Sequence, residues 1–118
     1  MLQNVSVIGL GKLGASMLAG MASRGMNVIG VDISKHAVDA VNAGRAPVQE
    51  TNLEDVIAAN KERIRATMST DEAVLGSDIS FVIVPTPSDQ HGAFSLQYAK
   101  FAFKALGQAL KKKDGYHV

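Results

Sequence analysis

Three glycines near the start of the chain have the spacing Gly-x-Gly-x-x-Gly, at Gly9, Gly11 and Gly14. The first permits a tight turn, the second lacks the Cβ that would keep a diphosphate off the backbone, and the third lets a helix pack on the preceding strand. The N–H groups at the start of that helix, with the positive end of its dipole, attract an anion. The spacing therefore predicts a phosphate-binding turn.

A carboxylate follows at the position where such a turn needs a second polar partner. Asp32 lies 18 residues after Gly14 and directly follows an apolar segment, 27–31. In dinucleotide-binding folds an acid near this position accepts hydrogen bonds from the adenosine ribose hydroxyls. The alternative is a glycine-rich turn that binds no nucleotide, with Asp32 capping the next helix. Because strand, turn, helix, strand and acid occur in register, the sequence favours a dinucleotide site.

A third candidate for ligand contact is Pro85-Thr86-Pro87, which follows the apolar run 79–84. Neither proline has an N–H to donate, so the chain must leave the sheet here. The simpler interpretation is that the prolines only end the strand. If the strand neighbours the glycine turn, Thr86 and the preceding Pro85 are expected to face the same ligand.

Alternating strands and helices are predicted to position these residues. The periodicity of apolar residues, with Gly and Pro as interruptions, predicts strands at 4–8, 27–31, 64–68 and 79–84 and the beginning of another at 116–118. It predicts helices at 12–24, 35–43, 51–63, 70–75 and 96–112. The segment from Ser88 to Phe94 is predicted to be a polar loop. Ser34 and Ser95 are predicted N-caps, and Thr51-x-x-Glu54 and Ser69-x-x-Glu72 have capping-box spacing. Right-handed crossovers then give an α/β, Rossmann-type doubly wound parallel sheet of order 3-2-1-4-5 with helices on both faces. The glycine turn and the Pro85-Thr86 exit meet at its switch point, between strands 1 and 4.

Composition limits the other possibilities. The 118 residues suggest a single dinucleotide-binding domain, 1–118, and the net charge of +1 argues against a nucleic-acid partner. There is no Cys, which excludes disulfides, thiolate metal sites and a thiol nucleophile, and no His stands at metal-ligand spacing. The chain starts its first strand almost at once and has no uncharged run of the ~18 residues of a membrane span, so we expect a cytoplasmic protein.

The motifs resemble those of the NAD-dependent nucleotide-sugar 6-dehydrogenases, the family of UDP-glucose, UDP-N-acetylmannosamine and GDP-mannose dehydrogenases. The resemblance covers the whole chain as the first part of a longer enzyme. Three segments carry it: 7–14 with Asp32, 42–53, which is similar to the family's Asn-x-Gly-x-x-Pro-Ile-x-Glu-x-x-Leu, and 77–87, with Ser77-Asp78 and Phe-Val-Ile-Val-Pro-Thr-Pro.

The resemblance implies NAD as cofactor. Gly11, Lys12 and Leu13 would cradle its pyrophosphate, Asp32 would hold the adenosine ribose, and Thr86 would contact it near the sheet edge. The full set of expected cofactor-binding residues is Gly9, Gly11, Lys12, Leu13, Gly14, Asp32, Pro85 and Thr86. One departure concerns a Lys that the family often has five residues after the acid, aligned with Ala37 here, whereas this chain has Lys35.

The family oxidises C6 of the sugar twice, to a carboxylate, through a thiol-bound intermediate on a Cys. Since this chain has no Cys, the resemblance implies that it binds cofactor but is catalytically incomplete, with no catalytic residue of its own. The full-length protein would be a homo-oligomer that takes a nucleotide sugar as substrate. Two other classes open similarly: regulatory nucleotide-binding domains of potassium channels and transporters, and β-hydroxyacid dehydrogenases. The 44–50 loop and the Pro-Thr-Pro exit are not expected in the regulatory domains.

Overall fold

One parallel sheet lies at the centre of the fold. The computed structural model describes residues 3–88, 90–93 and 95–118. Within them the sheet has the order β3-β2-β1-β4, and every neighbouring pair of strands is parallel. The strands are β1 (Asn4–Ile8), β2 (Asn27–Val31), β3 (Ile64–Thr67) and β4 (Ile79–Val82). The helices are α1 (Lys12–Ser23), α2 (Lys35–Asn42), α3 (Leu53–Ala59), α4 (Thr70–Leu75) and α5 (Gln97–Lys111), with one turn of 3-10 helix at Lys61–Arg63.

The predicted strand order is confirmed for these four strands. A fifth strand is not among the elements of the described residues, although the last residue lies along β4. Val118 N donates to Asp78 O at 3.2 Å, and Ser80 N donates to Val118 O at 2.8 Å. This is the hydrogen-bond pattern of two parallel strands. Val118 therefore occupies the side of β4 that faces away from β1.

Helices cover both faces of the sheet, as predicted. Successive strand residues point to opposite faces, so the apolar side chains on each face pack against helices. On one face Val7 and Val28 pack with apolar residues of α1, α2 and α3. On the other face Ile8, Ile29 and Val31 pack with Ala73 of α4 and Ala102 of α5. The near-continuous apolar sequence of β1 and β2 follows from this burial on two sides.

The start of α3 differs from the prediction. The capping box expected at Thr51 does not form: α3 begins at Leu53, and Asn52 before it has a left-handed backbone (φ 64°) and no side-chain cap. The Glu54 carboxylate instead accepts a hydrogen bond from Ala46 N at 3.1 Å, which ties down the 44–50 loop. α3 also ends at Ala59, earlier than the predicted residue 63. The capping-box interpretation of Thr51 was wrong because Asn52, with its left-handed backbone, takes the N-cap position of α3 instead.

Other helix starts follow the sequence more closely. Ser34 Oγ accepts from Ala37 N, and Ser69 Oγ accepts from Glu72 N, each at 3.2 Å, so both serines are N-caps. The Glu72 carboxylate does not accept from Ser69 N, as a full capping box would require. It accepts instead from Thr67 Oγ1 at 2.8 Å and from the Arg65 guanidinium at 2.6 Å. These two hydrogen bonds, that from Thr67 first, lower the pKa of Glu72.

Several other predicted boundaries shift by one or two residues. β4 ends at Val82 instead of residue 84, although Ile83 N still donates to Ile8 O at 2.7 Å. α5 starts at Gln97 with Leu96 at the N-cap position, and Ser95 Oγ accepts only a long bond, 3.4 Å, from Gln97 N. The predicted polar loop from Ser88 to Phe94 includes Asp89 and Phe94, which lie outside the described residues. In the part of the chain that is described, no helix has the length and apolarity to cross a bilayer.

Candidate functional site

The glycine turn joins the C-terminal end of β1 to α1. Gly9 has φ +109°, and a Cβ placed there would lie 1.8 Å from Ile83 O, so the backbone after β1 touches the backbone after β4. A Cβ on Gly14 would lie 1.8 Å from Gly9 O. A Cβ on Gly11 would have no neighbour within 4 Å. Gly9 and Gly14 are therefore required by the fold, whereas the space above Gly11 is open to a ligand.

The first turn of α1 presents unpaired N–H groups to this open space. Gly11 is the N-cap residue and has no side chain to accept from them. The first backbone bond of the helix runs from Ala15 N to Gly11 O at 2.8 Å, so the amides of Lys12, Leu13 and Gly14 precede the helical ladder. The first turn contains no acidic residue. The helix dipole and the exposed Lys12 therefore favour an anion here.

Asp32 links the glycine turn to the start of α2. Its Oδ2 accepts from Leu10 N and its Oδ1 accepts from Ser34 N, both at 2.8 Å. Asp32 is not the N-cap of α2, because Ser34 has that role. Each carboxylate oxygen can accept a second hydrogen bond. The acid can therefore hold the turn in shape and still accept from the hydroxyls of a ligand.

A cleft of about 740 Å³ runs along the C-terminal edge of the sheet. All of the residues predicted to bind the cofactor line it: Gly9, Gly11, Lys12, Leu13, Gly14, Asp32, Pro85 and Thr86. The glycine turn and the Pro85-Thr86 exit meet there because β1 and β4 are neighbours in the sheet. Their roles in binding stay predictions, but the fold brings them together.

Four large apolar side chains in the cleft were missed from the sequence: Ile33, Met68, Tyr98 and Phe101. Ile33 is 66% exposed and Phe101 is 65% exposed, and together with Met68 and Tyr98 they form an apolar part of the cleft lining. Ile33 follows β2 and Met68 follows β3, so both stand at the edge where a parallel sheet binds ligands. Their position just after a strand could have identified Ile33 and Met68 as cleft residues from the sequence. Tyr98 and Phe101, three residues apart on α5, lie in a segment for which the sequence predicted only a helix.

Lys35 does not line the cleft. Its Nζ lies 2.7 Å from Asp39 Oδ2, one helical turn away on the exposed face of α2. Such an exposed pair contributes little to stability.

The other two motif segments have structural roles that the sequence did not disclose. The Asn42 side chain donates to Ala66 O at 2.9 Å and accepts from Ala66 N at 2.8 Å, which pairs the backbone of the edge strand β3. Ser77 is buried, and its hydroxyl donates to Ala73 O at 2.7 Å. Pro47 and Val48, from the loop after Asn42, form one wall of the cleft.

The polar groups of the cleft are suited to ligand binding more than to catalysis. They are backbone amides, one lysine, four hydroxyls (Ser34, Thr70, Thr86 and Tyr98) and one carboxylate that already accepts from two amides. Within the described ranges there is no group of three or more His, Asp or Glu side chains that could hold a metal ion. The cleft can take a molecule with a central diphosphate, a ribose hydroxyl pair and apolar rings.

Comparisons with known proteins agree with this geometry. The family described as UDP-glucose/GDP-mannose dehydrogenase family, NAD binding domain, matches residues 3–117. GDP-mannose 6-dehydrogenase of Pseudomonas aeruginosa is 36% identical over 116 residues, covering 97% of this chain and 27% of that protein. UDP-glucose 6-dehydrogenase AglM of Haloferax volcanii is 36% identical over 115 residues, covering 97% and 26%.

The fold is similar as well. A crystal structure of a ternary complex of GDP-mannose dehydrogenase from Pseudomonas aeruginosa superposes with a TM-score of 0.94 at 35% identity, over 97% of this chain and 27% of that one. The chain thus spans about a quarter of the length of the relatives it matches. It belongs to the UDP-glucose/GDP-mannose dehydrogenase family and corresponds to the NAD-binding domain of that family.

Proposed function

We propose that the chain binds NAD in the cleft at the C-terminal edge of the sheet and serves as the cofactor-binding part of a nucleotide-sugar 6-dehydrogenase. The observation that carries the proposal is the open space above Gly11 at the start of α1, where a Cβ would have no neighbour within 4 Å. The other two glycines of the turn, Gly9 and Gly14, are in close backbone contact, so this gap is where a diphosphate could approach the helix amides.

The residues around that gap suit the parts of NAD. The amides of Gly11, Lys12 and Leu13 would take the pyrophosphate, and the free acceptor positions of Asp32 would take the adenosine ribose. Pro85 and Thr86, which follow β4, line the same cleft as Gly9 and Gly14. The exposed Ile33, Met68, Tyr98 and Phe101 would cover the apolar faces of the rings.

The chemistry of the full-length protein is part of the proposal. When bound, NAD supplies a hydride acceptor, and the protein supplies binding and orientation. By its relatives' names the substrate is a nucleotide sugar of the GDP-mannose or UDP-glucose type. We further propose that the full-length protein is a homo-oligomer, as the resemblance implies, and that it is cytoplasmic, as the composition suggests.

The test is calorimetry of NAD and of ADP-ribose with the parent chain and with Gly11→Val. The backbone of Gly11 (φ −75°, ψ −164°) is one that valine adopts readily, and no protein atom would meet the new Cβ. The variant should therefore fold while its side chain fills the diphosphate position. We expect binding to weaken at least about 30-fold, which is about 2 kcal/mol.

Gly20→Val is the matched control, since Gly20 lies in the same helix and a Cβ there also meets nothing within 4 Å. It adds the same side chain inside α1, away from the cleft, and should bind both ligands as the parent does. Equal affinities of Gly11→Val and Gly20→Val for ADP-ribose would overturn the proposed site.

A further inference from the structure

A network of hydrogen-bonded polar side chains connects residues 116–118 to the sheet. These residues lie on the side of β4 that faces away from β1. His117 Nε2 lies 2.9 Å from Ser80 Oγ, and Ser80 Oγ lies 2.5 Å from Ser6 Oγ in the middle of β1. Ser6 is fully buried, and Ser77 Oγ lies 3.1 Å from it. The network thus joins His117 to β4, β1 and the end of α4, in addition to the backbone bonds of Val118.

The other ring nitrogen of His117 faces a cation. Lys113 Nζ lies 2.9 Å from His117 Nδ1, and it also donates to Val74 O at 3.0 Å and to Ser77 O. An ammonium group has three protons and no lone pair, so these three acceptors use its full capacity. Nδ1 must therefore accept. The imidazole is then neutral, with its proton on Nε2, and donates to Ser80 Oγ.

Protonation of the imidazole is incompatible with this arrangement. A proton on Nδ1 would point at the Lys113 ammonium, placing two donors and two positive charges at hydrogen-bond distance. Burial, and then the charge of Lys113, lower the pKa of His117, while a hydrogen bond with the Ser77 backbone and then the charge of Asp78, in the turn before β4, act in the opposite direction. On the other elements packed here, Asp71 of α4 is paired with Lys112 of α5 at 2.5 Å, and β1 contributes only the hydroxyl of Ser6.

We propose that His117 is a pH-sensitive latch, which holds residues 116–118 against β4 while its imidazole is neutral and releases them when it is protonated. A His whose pKa is lowered by folding stabilises the folded state above its ordinary pKa of about 6.5, and this contribution is lost as the pH falls through the folded-state pKa. Release therefore occurs on the acidic side of neutrality. The latch does not depend on whether the cleft binds NAD.

The experiment is NMR of ¹⁵N-labelled protein titrated from about pH 8 to about pH 5, across the ordinary His pKa. Imidazole nitrogen shifts should report the Nε2–H tautomer of His117 near neutrality. As His117 titrates, hydrogen-exchange protection of Ser80 N, which donates to Val118 O, should fall by up to about tenfold for each pKa unit by which folding lowers the pKa.

Variants separate the latch from general acid unfolding. In His117→Gln the pH dependence of Ser80 protection should disappear, whereas His36→Gln, at an exposed position of α2, should retain it. Lys113→Met should raise the titration midpoint of His117. Ser80→Ala, which leaves Lys113 in place, should keep the Nε2–H tautomer, because Nδ1 still accepts from the Lys113 ammonium. Protection that is unchanged while His117 protonates, or a midpoint that is the same with and without Lys113, would overturn the latch.

Discussion

Glycines of a single motif have different physical roles in this chain. Gly9 and Gly14 are required by contacts within the protein, since a Cβ on either would lie 1.8 Å from a backbone oxygen. Gly11 is required by nothing in the protein itself. A motif match therefore gives three glycines equal weight, while the structure separates two that support the fold from one that leaves room for a ligand.

Asp32 leads to a prediction about cofactor choice, namely that the chain prefers NAD to NADP. A 2′-phosphate would bring nearly two negative charges to the Asp32 carboxylate, and the following residues, Ile33 and Ser34, provide no cation. A like-charge pair near ~4 Å costs about 4 kcal/mol at an effective dielectric constant of ~20. Because solvent and salt reduce that cost, we expect a discrimination of about tenfold, or about 1.4 kcal/mol, by calorimetry.

The matched variant for this prediction is Ile33→Arg. Ile33 is largely exposed, so an arginine can replace it without disturbing the core, and its charge should narrow the ratio of NAD to NADP affinity. Equal affinity of the parent chain for NAD and NADP would show that Asp32 does not contact the ribose.

At the scale of elements, two identical capping signals have different outcomes. Ser69 Oγ caps α4 through Glu72 N, whereas α3 begins without any side-chain cap although Thr51-x-x-Glu54 precedes it. The acid has a tertiary partner in both, since Glu54 holds Ala46 N of a loop and Glu72 holds Thr67 and Arg65 of β3. The difference lies at the helix start, where Ser69 is the extended N-cap residue of α4 but left-handed Asn52 separates Thr51 from α3. The spacing of a capping box predicts hydrogen bonds within one helix start, and hydrogen bonds to residues distant in sequence can form in their place.

This contrast gives a paired test of stability. Ser69→Ala removes an N-cap bond and should lower the free energy of unfolding by about 1 kcal/mol. Thr51→Ala removes no cap and should change the free energy of unfolding by less than about 0.5 kcal/mol. Urea unfolding of the two variants beside the parent chain measures both values. If Thr51→Ala were as destabilising as Ser69→Ala, the start of α3 would be capped in solution in a way the structure does not show.

At the scale of the whole molecule, we predict that the 118-residue chain has no dehydrogenase activity on a nucleotide sugar, even with NAD bound. It contains no Cys to supply the thiol nucleophile that the family's chemistry implies, and Ser or Thr hydroxyls are weak nucleophiles without an adjacent base. The chain also matches only about a quarter of its relatives' length. Its half of a dinucleotide site should bind NAD little more tightly than ADP-ribose.

The measurement is NADH formation with UDP-glucose, UDP-N-acetylmannosamine and GDP-mannose in turn. We expect no turnover above a protein-free background, together with the NAD and ADP-ribose affinities from calorimetry. Turnover with any one sugar would mean that a nucleophile other than Cys operates in this chain.

The sequence by itself determined the elements and the edge at which they meet. β1 and β2 were predicted to the residue, because strands buried on both faces read as unbroken apolar runs and the glycine turn and Gly25 bound α1 between them. The order of the strands followed from right-handed crossovers. Once β1 and β4 are neighbours, the predicted cofactor residues must share one cleft.

Only the tertiary structure decided which groups those residues contact. Asp32 holds Leu10 N, Glu54 holds Ala46 N, and His117 reaches Ser6 through Ser80. These partners lie between 8 and 74 positions apart along the chain. Local propensity and periodicity carry no information on such pairs. Hydrogen bonds between distant side chains form only after packing has brought their elements together, which is why the site's residues were readable in advance and its contacts were not.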